Sequence, residues 1–353
     1  MRGCTVLFIV LLLAGRAFAS AGDPGLQPQW QKVELGSAMP YHFALYSNHP
    51  LAGPHASITR AVVIQHGLQR DGDAYYEAAV RLMAELHVDT ARTLLLVPQF
   101  FAAPDAARFD VSGMPLWTRG GWMGGENAVG NGFEMSSLQV YDDLLRWLAD
   151  RERFPVLAEV VLAGHSAGAQ LVHRYAVLNR ADEALRRAGM NVRYVVANPS
   201  SYLYFNDERP QAGIFVKFDG TACPNFDHYK YGFVNLVPYA AKADARATFE
   251  RYALRDVTYL LGEKDNDPAY RSLDKRCGAK AQGASRLERG LAYLRYERHL
   301  AGSRTKLVHR GYEVLGIAHD QKGMFGSACG ARAIFAQSGA AVGAAQCKDL
   351  TAP

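Results

Sequence analysis

Long hydrophobic runs are nearly absent from this 353-residue chain. One apolar run, residues 6–14, lies near its start. No other run is long enough to cross a bilayer, so a bundle of membrane helices is excluded. There is no low-complexity tract and no internal repeat, which excludes fibrous and solenoid architectures. Cysteine is scarce, with five residues and no C-x-x-C spacing, so the usual mark of a cysteine zinc site is missing. No arginine-rich stripe and no basic–aromatic ladder is present, and nucleic-acid binding therefore has no electrostatic footprint. Nothing in the sequence marks a metal, nucleotide or flavin site, and no cofactor is expected.

What is present begins with "MRGCTVLFIVLLLAGRAFAS". Arg2 leads, the apolar run follows, and Ala17-Phe18-Ala19 forms an A-x-A cleavage site. This is the pattern of an export signal peptide over 1–19, with an uncleaved anchor as the alternative. The mature chain, 20–353, is expected to be a single domain, secreted or periplasmic, with no membrane anchor. Losing Arg2 and Arg16 lowers the formal charge from +5 to +3. Cys4 precedes the apolar run and leaves with the leader. The four remaining cysteines suggest two disulfides in an oxidising compartment. Three connectivities are open. Cys223–Cys277 with Cys329–Cys347 is preferred, because each pair closes the shortest available loop.

Apolar, β-branched runs at 41–47, 59–67, 92–100, 157–164, 191–199, 256–265 and 305–316 read as strands. Helical spacing appears at 72–87, 136–151, after Gly164, and at 287–300. Strands alternating with helices in this way predict a mostly parallel sheet covered on both faces. Ligands on such sheets bind at the carboxyl ends of the strands.

At one such end stands Gly164-His165-Ser166-Ala167-Gly168. A G-x-S-x-G is weak evidence alone in a chain with 33 glycines. Here a strand enters it and an amphipathic helix leaves it, the context in which a strained turn lifts a serine hydroxyl above the sheet. The positive helix end beneath favours a developing oxyanion. A serine needs a base, and the base an orienting group. Two later strands end in candidates: Gly262-Glu263-Lys264-Asp265-Asn266-Asp267, and Ile317-Ala318-His319-Asp320. The order Ser166, Asp265, His319 matches one of the known triad arrangements, with Asp267 and Glu263 as rivals to Asp265. Asp320 is expected to cap the following helix. The Ala167 amide and the Leu68 amide, after His66-Gly67, are the expected oxyanion donors.

These motifs resemble those of the α/β-hydrolase superfamily, from about Thr59 to about Gln337. Within it the Gly-His-Ser-Ala-Gly form and the export signal are most similar to secreted esterases of the feruloyl-esterase and polyester-depolymerase kind. The resemblance implies an eight-stranded sheet and cofactor-free acyl transfer to water. His66 is followed by one glycine rather than the longer run of some lipase-like esterases.

Two long aromatic segments remain. Residues 98–133 offer Phe100, Trp117 and Trp122 as pocket walls, or as filling for a satellite core. Residues 198–243, with Tyr202, read as a lid-like insertion that a Cys223–Cys277 bond would tie to the loop beyond Asp265. Such segments suit an aromatic or oligomeric ester substrate. A serine peptidase or amidase on the same triad, and a non-catalytic binding protein on the same fold, are the alternatives.

Overall fold

Apolar strands buried on both faces need cover on both sides, and this requirement organises the molecule. The structure, a computed structural model, describes residues 30–336 and 345–351. The expected leader, 1–19, lies outside the described residues. In chain order the strands are β1 (Gln31–Leu35), β2 (Tyr41–Ser47), β3 (Arg60–Gln65), β4 (Thr93–Gln99), β5 (Glu159–His165), β6 (Asn191–Ala197), β7 (Glu208–Gln211), β8 (Ile214–Lys217), β9 (Asp256–Gly262), β10 (Arg310–Val314) and β11 (Cys347–Asp349). Nine of them form one sheet in the order β1-β2-β4-β3-β5-β6-β9-β10-β11, while β7 and β8 pair as a separate hairpin. The inner pairings, from β4 through β10, are parallel. The outer strands β1, β2 and β11 pair antiparallel.

The sheet thus has nine strands where the resemblance implied eight. The extra one, β11, caps the edge strand β10. Cys347, its first residue, is bonded to Cys329, which fixes this short tail segment against the edge.

Successive side chains alternate between the two cores, as the strand period demands. Val63, Leu94, Leu96, Val160 and Leu162 face one core, and Val62, Ile64, Leu95, Val97 and Val161 the other. Helices α2 (Ser137–Ala149) and α3 (Ala167–Leu178) cover the first face, burying Leu145, Leu171 and Val172. Helix α1 (Gly72–Glu85) and the helix Ala328–Phe335 cover the second with Leu82, Met83, Ile334 and Phe335. Each such side chain contributes roughly 1.5–3 kcal/mol on burial. Helix α2 is capped by Ser136, whose hydroxyl accepts from the Leu138 amide. Asp320 caps the helix Gln321–Gly326, as expected, accepting from the Gly323 amide.

The chain leaves β3 toward β4 on one side, then crosses to β5 on the other. That reversal opens a crevice beyond the carboxyl ends of β3 and β5. His66-Gly67-Leu68 follows β3 there, and Ser166 follows β5.

Both cysteine pairs are bonded as preferred, Cys223–Cys277 and Cys329–Cys347. The lid-like reading of 198–243 needs correction at its start. Tyr202, Leu203, Tyr204 and Phe205 are buried in the main core, because this stretch runs beneath the helix Arg286–Ala301 and stacks Tyr202 on Tyr293 at 4.6 Å.

Candidate active site

The turn between β5 and α3 holds Ser166 at φ 59°, ψ −116°. A non-glycine residue there is strained, at a cost of order 1–3 kcal/mol. The surroundings hold it in place. The Ser166 amide donates to the Ala197 carbonyl of β6 at 3.0 Å. A methyl group on Gly164 would lie 2.4 Å from the backbone carbon of Gly168, and one on Gly168 would lie 2.4 Å from the Gln65 carbonyl oxygen. The glycines flanking the serine are therefore required by close approach: strand to helix at Gly164, helix to the end of β3 at Gly168.

Two loops beyond other strands complete the cluster. His319, after β10, places Nε2 2.9 Å from Ser166 Oγ. Asp265, after β9, places Oδ2 2.7 Å from His319 Nδ1. If Nδ1 carries the proton and donates to the carboxylate, Nε2 is left as acceptor for the serine hydroxyl. Of the three acids in that loop only Asp265 reaches the ring. Asp267 accepts from the Ala269 amide at the exposed surface, and Glu263 accepts from the Gly316 amide. The second Asp265 oxygen accepts from Arg286 Nη1 at 3.3 Å. Arg286 is itself held by the hydroxyls of Ser200 and Ser272 and lies over the Tyr270 ring. Burial lowers the Arg286 pKa, and Asp265 opposes the shift.

Two further histidines are buried nearby. His66 Nε2 accepts from the Phe100 amide and Nδ1 donates to the Gly67 carbonyl, which braces the turn ahead of Leu68. Burial lowers its pKa to about 4, so it is neutral. The His165 ring lies 4.5 Å from that of His319. Burial, and then the His319 charge, hold His165 well below the usual histidine range, so it offers an uncharged surface to the neighbouring ring.

A cavity of about 200 Å³ opens over Ser166. Leu68 and Ala167 border it, and neither of their amides donates to an acceptor among the described residues. Its other walls combine the polar side chains of Gln170, Ser200, Lys230, Ser272, Asp274, Lys275 and Arg276 with the apolar Met123 and Leu273. This corrects the expected pocket. Phe100, Trp117, Trp122 and Tyr202 have no exposed surface and do not line it. Phe100 is wedged between Trp117 and Trp122, and each indole N–H is spent on a carbonyl, of Glu126 and Arg119 respectively. Large rings that can satisfy their polar atom locally are worth more in the core than against water.

Sequence reasoning missed Arg286, Lys230 and Asp274. Arg286 has no local signal. A lysine inside the aromatic run "HYKYG" is a faint one. Burial pushes the Lys230 ammonium down to about 8, and the nearby Arg174 adds to the shift. Asp274 is pushed up by burial, but the hydrogen bond from Arg276 and the charge of Lys230 outweigh this and hold it far below the usual carboxylate range. The Cys223–Cys277 bond ties the 198–243 segment to the residue beside Arg276, and so to this wall. A larger cavity of about 560 Å³, bordered by Asp142, Arg146 and Arg251, is lined by no serine, cysteine or histidine. Among the described residues no group of three or more His, Cys, Asp or Glu side chains is arranged to hold a metal ion, and no helix is long and apolar enough to cross a membrane.

No protein-family model matches the chain, and no curated protein sequence matches it. Solved structures do. Poly(aspartic acid) hydrolase-1 from Sphingomonas sp. KT-1 is similar with TM-score 0.56 and 21% identity, over 84% of this chain and 96% of that one. LpqC, a poly(3-hydroxybutyrate) depolymerase from Bordetella parapertussis, is similar with TM-score 0.59 and 20% identity, over 86% and 90% of the two chains.

Proposed function

We propose that this chain, whose fold is that of the α/β-hydrolases, is an exported serine hydrolase that cleaves carboxylic esters through an acyl-enzyme on Ser166. The observation that carries the reading is His319, hydrogen-bonded at once to Ser166 Oγ and to Asp265. The names of the two fold neighbours, one a hydrolase and one a depolymerase, agree with it.

In the proposed mechanism Ser166 Oγ attacks the ester carbonyl carbon, and its proton passes to His319 Nε2. Asp265 holds the ring in the required tautomer and stabilises the imidazolium. The carbonyl oxygen, now an anion, accepts from the Ala167 and Leu68 amides, where loss of one donor would cost about 10²–10³ in rate. Collapse breaks the bond to the alcohol, which leaves with the proton from His319. Water then gives a proton to His319, attacks the acyl carbon, and releases the carboxylic acid and Ser166. One ester and one water become one acid and one alcohol. Two disulfides favour an oxidising compartment for this chemistry, in line with the expected leader.

The test uses the chain from Ser20 with its disulfides intact. A fluorescent alkyl phosphonate should label Ser166, mapped by mass spectrometry, and should not label Ser166→Ala. p-Nitrophenyl acetate should be turned over by the native protein alone. Neither labelling nor turnover would remove the hydrolase reading and favour a binding protein on the same fold.

A further inference from the structure

The wall facing Ser166 carries three cations, Lys230, Lys275 and Arg276, against one carboxylate, Asp274. That carboxylate is already committed. Arg276 grips it with both Nε and Nη2, at 3.0 and 2.9 Å, and the Tyr231 hydroxyl donates to it at 2.8 Å. Lys230 reaches it only at 3.5 Å. The ammonium is largely buried, its side chain 15% exposed, so most of its hydration is gone while its donors are mostly unspent.

Behind the wall the imbalance continues. Arg174 has no exposed surface. It donates to the Met123 carbonyl, to Gln170 and to Ser201, and Met123 and Gln170 both border the cavity. No carboxylate pairs with it among the described residues, and its Nε has no partner. A buried cation without a counter-charge is costly; Arg174 has none, and Lys230 shares its one carboxylate, Asp274, with Arg276, so positive charge is in excess beside this small cavity. Uncharged walls would serve a neutral ester better, because each buried cation has to be held against its own desolvation.

We infer that the natural ester carries a second, free carboxylate close to the scissile carbonyl, and that Lys230 binds it. The substrate class is thus the monoester of a short dicarboxylic acid, or an oligoester fragment ending in a carboxylate. This rests on the serine hydrolase reading of the same site. The remote end of the substrate sits between Lys230 and the Gln170 side, with Lys275 and Arg276 drawing it in from the mouth. The volume of the cavity, about 200 Å³, limits the spacer between the two carbonyl groups to a short chain.

The experiment compares p-nitrophenyl hydrogen glutarate with its methyl ester, p-nitrophenyl methyl glutarate. They differ in one charge. The ratio of their kcat/KM values should favour the carboxylate at least tenfold, which is about 1.4 kcal/mol. Lys230→Met should bring the ratio near unity and Lys230→Arg should restore most of it. Lys275→Glu, at an exposed position where folding is not at stake, should lower the ratio about threefold, an effect that added salt diminishes. A native ratio near unity, or a ratio that Lys230→Met leaves as it was, would overturn the inference while the hydrolase reading stands. If neither ester is cleaved and Ser166 takes no phosphonate label, the hydrolase reading fails, and in either case calorimetric titration of the Ser166→Ala protein with monomethyl and dimethyl glutarate still decides the question. Tighter binding of the monoester, lost in Ser166→Ala/Lys230→Met, supports the anion site, and equal binding refutes it.

Discussion

Replacing Asp265 by asparagine should damage activity and stability by separate routes. Asp265 and Arg286 have side chains 3% and 1% exposed. Asparagine keeps the shape and removes the charge. At the His319 end, the ring loses the acceptor that fixes its tautomer and the anion that stabilises its protonated form, and kcat should fall about 10⁴-fold. At the other end, Arg286 is left as a buried cation without its carboxylate. Breaking such a pair costs about 3–5 kcal/mol. Arg286 keeps two serine hydroxyls and the Tyr270 ring, which puts the expected loss at the lower end, about 3 kcal/mol. In a chain of this size that is roughly 4 °C in Tm. The assay is kcat/KM on p-nitrophenyl acetate beside scanning calorimetry, with Asp267→Asn as control. That exposed residue touches only its own loop, so its variant should stay within threefold in activity and about 1 °C in Tm. More than a tenth of native activity in Asp265→Asn, or an equal loss in Asp267→Asn, would refute the assignment of roles in this loop.

Gly168→Ala should lower kcat/KM by about 10²-fold, because its methyl would meet the Gln65 and His66 carbonyls at 2.4 and 2.6 Å and must push Ala167 away from Leu68; activity within threefold of native would argue against the proposed pair of donors. Tyr202→Phe should raise Tm slightly and leave ester kinetics alone, since the Tyr202 hydroxyl is buried without a partner and an orphaned group costs about 1–3 kcal/mol. A changed KM would return this ring to the pocket. Replacing Cys329 and Cys347 together by alanine opens a loop of sequence separation 18 and should cost about 3 kcal/mol, measured as Tm, with phosphonate labelling of Ser166 retained. An unchanged Tm would mean that the bond does not hold the tail and β11 against the sheet.

The parallel sheet was legible because its signal is local. A buried strand must be apolar at nearly every position, as β4 is from Leu94 to Pro98, and the alternation with amphipathic helices follows in the chain itself. The elbow was legible for the same reason: Gly164, Ser166 and Gly168 act on each other within one turn, so their spacing in sequence is their spacing in space. Expecting an acid and a histidine after later strands required only chain order. Which of three acids in one loop meets His319 was not legible, because a rotation of that loop about its own turn decides it.

The aromatic segments misled for a related reason. Phe100, Trp117, Trp122 and Tyr202 have the composition of a pocket wall and of a core alike, and only packing against α2, α3 and the helix Arg286–Ala301 separates the two. By itself, then, the sequence determined the strands from β2 to β10 that build the central sheet, the helices α1 to α3 and the serine corner, because each depends on neighbours in the chain; it did not give β1, β11 or the hairpin of β7 and β8, and it left the cysteine pairing as a preference among three connectivities. The tertiary structure alone decided that the wall opposite Ser166 is charged rather than aromatic. Arg174, Lys230 and the neighbouring pair Asp274 and Arg276 come from three distant parts of the chain, and an electrostatic field is a sum over positions in space, which no order of residues reveals before the chain is folded.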